Sequence, residues 1–143
     1  MRSQRGVTLV ELMVVVVIVA VLASISVPAY RSYLLRAQRS DGKTELLRIN
    51  AAQEKFFLQA KRYATDAELD QTPPAGLGIS RTSEHGHFAL DLPNVAGVSY
   101  TARASAIGDQ VEDKVCRTLT IDNLGQKGAT NATGGDTRMD CWK

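Results

Sequence analysis

Between Leu12 and Val27 this 143-residue chain carries only two polar side chains, Ser24 and Ser26, and the apolar run continues through Val7 to Val10 on one side and to Ala29 on the other. Roughly 20 apolar residues in helical form span the hydrocarbon core of a bilayer. The chain therefore reads as one membrane helix near its start, with the remainder left to form a soluble part. Two flanking features sharpen the reading. A basic segment with Arg2 and Arg5 ends at Gly6, and Glu11 stands at the mouth of the apolar run. A charge in such a helix costs on the order of 2.5 to 3.5 kcal/mol at its centre and less toward its end, so Glu11 needs a partner.

A secretory signal peptide is the competing reading, because Val27-Pro28-Ala29 resembles a small-residue cleavage site before Tyr30. Glu11 weighs against it, since a signal peptide gains nothing from a carboxylate in its apolar core. A cut after Gly6 supplies the missing partner. The new amino group on Val7 would lie one helical turn from Glu11 and be positively charged below about pH 7.7. Such a pair at about 4 Å is worth on the order of 4 kcal/mol at an effective dielectric of 20, which matches the burial cost. Pairing within one chain satisfies both charges. Pairing between chains also sets the axial register of neighbouring helices, and this role is favoured.

The segment Gly6-Val7-Thr8-Leu9-Val10-Glu11, with a basic leader before it and an apolar helix behind, resembles the class III signal of type IV prepilins and pseudopilins. The resemblance implies cleavage between Gly6 and Val7 by a prepilin peptidase, N-methylation of Val7, and a subunit-assembly role for Glu11. It divides the chain into a leader (1–6), a transmembrane and filament-core helix (7–29) and a globular domain (30–143). It also implies other pilins, the inner-membrane assembly machinery and, before assembly, membrane lipid as partners. Val7 stands where phenylalanine is commonest in the family, and Ala20 where many members have glycine.

Charge sets further bounds. The formal net charge is +2, and without Arg2 and Arg5 the 17 basic residues fall to 15, equal to the 15 acidic ones. A neutral mature chain gives no bulk attraction to nucleic acid or anionic lipid, although a local patch remains compatible with it. Arg31, Arg36 and Arg39 beyond the apolar run outnumber Arg2 and Arg5 before it, so charge alone does not orient the helix. The resemblance does. It implies a cytoplasmic leader, a periplasmic C-terminal domain on a single-pass inner-membrane helix, and later an extracellular place in the pilus of a Gram-negative bacterium.

Pro28 is expected to kink the helix where it leaves the membrane, because it lacks an N–H and crowds the preceding turn. Helix formers resume at Tyr30. Tyr30, Leu34 and Ala37, then Ile49, Ala52, Phe56, Ala60 and Tyr63, recur at three-to-four-residue steps as an apolar stripe. Gly42 interrupts this helix at about 1 kcal/mol relative to alanine and reads as a second soft point. From Ala64 to Gly86 the periodicity fades into a loop containing Pro73-Pro74-Ala75-Gly76. Period-two alternation then marks strands at Phe88–Leu92, Val98–Ala102 and Arg117–Ile121, with turns at Asn94–Gly97 and Gly108–Asp113. The expected fold is α+β, a long helix packed on a small antiparallel sheet of three or four strands, the ladle-shaped pilin fold that the resemblance also implies.

Cys116 and Cys141 enclose a Thr/Gly-rich stretch of little apolar content. A bridge between them is favoured over two free thiols or a metal pair, and no other ligand cluster lies nearby. Together with Arg117-Thr118-Leu119-Thr120, Gly125 and Trp142, these cysteines resemble the PilE-like minor pilins in particular. That group also resembles pilin receptors that capture DNA. The cations available to such a role are Lys114, Arg117, Lys127, Arg138 and Lys143, opposed by Asp122, Asp136 and Asp140, a modest local excess. A structural subunit serving pilus assembly, and through it twitching, adhesion or DNA uptake, ranks above a DNA receptor and above a type II secretion pseudopilin. Glu84-His85-Gly86-His87 reads as solvated side chains rather than a metal site, and Asn131-Ala132-Thr133 is a short match to a glycosylation triplet. No nucleophile motif or phosphate-cradling loop is present, so neither catalysis nor a cofactor is expected.

Overall fold

The computed structural model describes residues 7–143, so the leader with Gly6 lies outside the described residues. The chain divides into two compact units between Leu34 and Leu35. Helix α1, Leu9–Ala60, carries residues of both.

In the first unit every described residue from Val7 to Leu34 is exposed, including the whole valine-rich run. This helix is long and apolar enough to cross a membrane. Its hydroxyls are turned inward to the backbone: Ser24 Oγ donates to the Val21 carbonyl at 2.7 Å and Ser32 Oγ to Ala29 at 3.1 Å. Such internal bonds keep polar groups satisfied where water is absent. Pro28 lies inside α1, which is helical on both sides of it.

In the second unit α1 buries Leu46, Ile49 and Phe56, together with Gly42, Glu45 and Gln53. Ala60 is exposed, and the fully buried Leu46 joins the expected stripe. The expected soft point at Gly42 is a close-packing point. A Cβ built there would stand 3.0 Å from the ring of Phe88, which is itself fully buried. Glycine is what lets the helix approach β1.

The sheet has four antiparallel strands in the order β1 (Phe88–Ala96), β2 (Ser99–Ala106), β3 (Thr118–Asp122) and β4 (Lys127–Thr130). This is the expected α+β architecture. Phe88, Leu90 and Leu92 of β1 alternate inward, as do Tyr100, Ala102, Ala104 and Ala106 of β2 and Leu119 and Ile121 of β3. Large side chains come from α1, β1 and Tyr100 of β2, and small ones from Ala102, Ala104 and Ala106, a combination that lets helix and sheet interdigitate. The strand β1 is longer than its period-two signal, because a bulge between Asp91 and Asn94 breaks the alternation at Pro93. Proline belongs at such a position, where no ladder donor is required. The turn consequently falls at Gly97-Val98 rather than across Asn94–Gly97.

The segment from Ala64 to Gly86 is irregular apart from one 3-10 turn at Asp66–Glu68, yet it supplies Ala64, Leu69, Leu77 and Ile79 to the core. It is a packed strap. Buried Gln53 pins its start, donating to the Ala64 carbonyl at 2.9 Å and accepting from the Ala64 amide at 2.8 Å. Thr65 and Glu68 form a reciprocal capping box, and Arg62 holds Glu68 at 2.6 and 2.8 Å. These bonds, the Arg62 guanidinium first, lower the Glu68 pKa to about 2.

Candidate functional site

Two groups of side chains stand out. The first is at the start of α1. Thr8 is its N-terminal cap: Glu11 Oε2 accepts from the Thr8 amide and hydroxyl, each at 2.9 Å, and Thr8 Oγ1 accepts from the Glu11 amide at 3.3 Å. This reciprocal arrangement satisfies two otherwise unpaired helix donors. It also partners Glu11 within its own chain, through Thr8. The signal was present in the sequence as Thr8-x-x-Glu11 ahead of an apolar run. Val7 is 76% exposed and free of that box.

The second group lies at the C-terminal edge of the sheet. Cys116 and Cys141 are bridged, with their Cα atoms 5.8 Å apart and both residues fully buried. The bridge fixes the short helix α2, Arg138–Cys141, against the start of β3. Trp142 follows at once, and its indole N–H donates to the Gly128 carbonyl of β4 at 2.8 Å. Lys127 Nζ lies 5.1 Å from the Trp142 ring centroid. Lys43 of α1 donates to the Lys143 carbonyl at 3.1 Å, and its pKa is lowered by burial and then by the charges of Arg39 and Lys127. Lys143 also meets Asp140 at 3.3 Å. Lys127 therefore lies over the indole, and Lys43 is bonded to the backbone of the residue that follows it.

The five cations singled out from the sequence are thus divided. Lys127 and Lys143 sit at Trp142, while Lys114 and Arg117 line a separate groove with Val111, Glu112 and Asn131. Arg117 is committed to its own fold, donating to the Val111 carbonyl at 2.6 Å. Arg138 is exposed on α2. Lys43 was missed, although Arg36, Arg39 and Lys43 recur at helical spacing and form a basic stripe. Arg39 in that stripe is spent on Asp113 in a bidentate pair at 2.6 and 3.0 Å. Burial raises the Asp113 pKa, but Arg39 and the Cys116 and Val115 amides outweigh it and lower the value. Among the described residues no group of three or more His, Cys, Asp or Glu is placed to hold a metal. Asn131 uses its side-chain oxygen within its own turn, accepting from Thr133 and Gly135.

Comparison with known proteins agrees with this anatomy. Residues 1–27 match the prokaryotic N-terminal methylation motif, and residues 28–120 match the family described as type IV minor pilin ComP, DNA uptake sequence receptor. The chain belongs to the type IV pilin family. It is 39% identical over 139 residues to a fimbrial protein of Moraxella nonliquefaciens, covering 88% of this chain and 84% of that one. It is 40% identical over 73 residues to the type IV major pilin protein PilA of Myxococcus xanthus, covering half of this chain. The match spans a third of PilA and about half of a Pseudomonas aeruginosa fimbrial protein (33% and 47%). In structure the chain is similar to the non-core minor pilin PilV of Neisseria meningitidis, with a TM-score of 0.53 and 19% identity over 73% of this chain and 94% of that one. That likeness is one of fold.

Proposed function

We propose that the chain is a minor subunit of the type IV pilus that acts in DNA uptake, and that Lys43, Lys127, Lys143 and Trp142 form its DNA-binding face. The observation that carries this reading is the match of residues 28–120 to a family of minor pilins described as DNA uptake sequence receptors. Lys127 over Trp142, with Lys43 bonded to the adjoining Lys143, supports it. Bulk neutrality ranked a receptor second, but phosphate binding depends on the few cations that meet the backbone.

In this reading prepilin peptidase removes residues 1–6, Val7 is methylated, and the 7–29 segment holds the subunit in the inner membrane with residues 30–143 in the periplasm. The assembly machinery then moves it from lipid into a filament of other pilins, outside a Gram-negative cell. The test of the DNA-binding face is fluorescence anisotropy of the full chain in detergent micelles against duplex DNA across a salt series. Three phosphate contacts predict a log–log slope of about −2.7. Lys43→Glu with Lys127→Glu should flatten that slope, whereas Lys114→Glu should leave it unchanged. Binding that is absent at low salt, or indifferent to Lys43 and Lys127, refutes this face.

A further inference from the structure

Asp41 of α1 is a carboxylate with only 7% of its side chain exposed, and all its hydrogen-bond donors come from the turn that leads into β1. Its Oδ2 accepts from Ser83 Oγ at 2.6 Å, and its Oδ1 faces the His85 ring Nδ1 at 3.1 Å and the His85 amide at 3.5 Å. Ser83 Oγ passes the connection on, accepting from the His87 amide at 3.1 Å and from the Phe88 amide at 3.0 Å. Phe88 is the first residue of β1 and the ring packed against Gly42, the residue next to Asp41. One carboxylate therefore ties the 83–88 turn to the Gly42–Phe88 contact between helix and sheet.

The charges around this point are unbalanced. Ser40, Asp41, Thr44, Glu45, Glu84 and His85 line a small pocket of about 110 Å³. Glu45 has a cation of its own, Arg48 at 3.7 Å. Glu84 adds negative charge, and the His87 ring lies parallel to that of His85 with centroids 6.4 Å apart. No lysine or arginine lines the pocket. His85 is thus the group that can place a positive charge against Asp41, and its ring is 69% exposed and free to leave.

We infer that the Asp41–Ser83–His85 cluster is a proton-operated clasp, closed over the 83–88 turn when His85 is charged and loosened when His85 is neutral. The hydrogen bond and charge of Asp41, with Glu84, raise the His85 pKa, and Ser83 and His85 together hold that of Asp41 below its usual value against the effect of burial. For a raised histidine the extra stability is complete below its unfolded pKa near 6.5, and it is lost as pH rises through the higher folded value. The clasp is accordingly firm in mild acid and slack in mild alkali. With His85 neutral the turn is held to Asp41 by Ser83 alone, so it opens more often while the fold is kept.

Hydrogen–deuterium exchange of the full chain in detergent micelles, at pH 5.5 and 8.5 and corrected for intrinsic rates, tests this. The His87 and Phe88 amides should exchange about two- to fivefold faster at the higher pH, the range expected of one exposed ion pair. Amides of β3 should not respond. His85→Gln, a change at an exposed side chain, should give the faster rate at both pH values. A histidine titration by NMR adds a second reading, in which the His85 midpoint lies above the ordinary histidine value and Asp41→Asn lowers it. Equal protection at both pH values, or a pH response that survives in His85→Gln, overturns the clasp.

Discussion

Reducing the Cys116–Cys141 bridge should lower the stability of the second unit by about 3.5 kcal/mol. The sequence separation is 25 residues, and the chain-entropy relation gives about 11.8 cal/mol/K for a loop of that size, or about 3.5 kcal/mol at 25 °C. The surrounding structure offers little compensation. Beyond β4 the buried apolar core receives only Cys141, with Trp142 packed at its margin. The unit Leu35–Lys143 has about 110 residues, whose unfolding entropy is about 230 cal/mol/K, so the midpoint should fall by roughly 15 °C. Thermal unfolding of the full chain in micelles, followed by circular dichroism with and without reductant, measures this. Cys116→Ser with Cys141→Ser should reproduce the reduced curve, and Trp142 fluorescence should report release of the indole before the sheet melts. A midpoint shift under 3 °C would refute the reasoning, because it would mean that the C-terminal segment is held by contacts not seen here.

Glu11→Ala should leave the chain in membranes, since it makes the helix more apolar, while reducing its amount in sheared pili; normal incorporation by immunoblot would show that Glu11 has no part in assembly. Gly42→Ala should destabilise by about 1 to 2 kcal/mol despite better helix propensity, because the new methyl meets the buried Phe88 ring at 3.0 Å. Phe88→Leu in the same chain should recover part of that loss in urea unfolding. Glu68 has a folded pKa of about 2 against a reference of 4.5, so its contribution is present above pH 4.5 and lost as pH falls toward 2. With Arg62 about half exposed, solvent screening reduces that contribution to about 1 kcal/mol, and the stability gap between the wild type and Glu68→Gln should close between pH 5 and pH 2.

The parts of the fold legible in the sequence are those governed by local pattern. The apolar run, the stripe containing Ile49 and Phe56, and the alternation in β1 to β3 each repeat at the period of their element, so the α+β class followed. Gly42 was misread because propensity prices a glycine by what it costs the helix, and its reason for being there is the Phe88 ring, 46 residues away. The strap from Ala64 to Gly86 reads only as a loop in the sequence because Ala64, Leu69, Leu77 and Ile79 enter the core at irregular spacing. Much the same separation hid the basic face. Lys43 and Lys127 lie on different elements, and only the packing of α1 beside β4 and Trp142 assembles them. The short strand β4, Lys127–Thr130, has one buried side chain, Ala129, and so carries no alternation to detect.

Thr8 changes what an assembly role for Glu11 can mean. An unpartnered carboxylate would gain the whole of a new ion pair, on the order of 4 kcal/mol, from any neighbour that offered an amine. Here the carboxylate already accepts two bonds from Thr8, and meeting a neighbouring chain means surrendering or sharing them. Charge-assisted hydrogen bonds are each worth about 1.5 to 3 kcal/mol. The exchange would therefore be close to balanced, and the net affinity that Glu11 would add to a filament is small. What survives the balance is geometry. A bond that gains little energy still forbids registers in which Glu11 faces only hydrocarbon, since there it would keep its charge and have no second partner. We propose on this account that Glu11 selects where a subunit stops along a filament, while the exposed valines of the first unit supply the affinity that keeps it there.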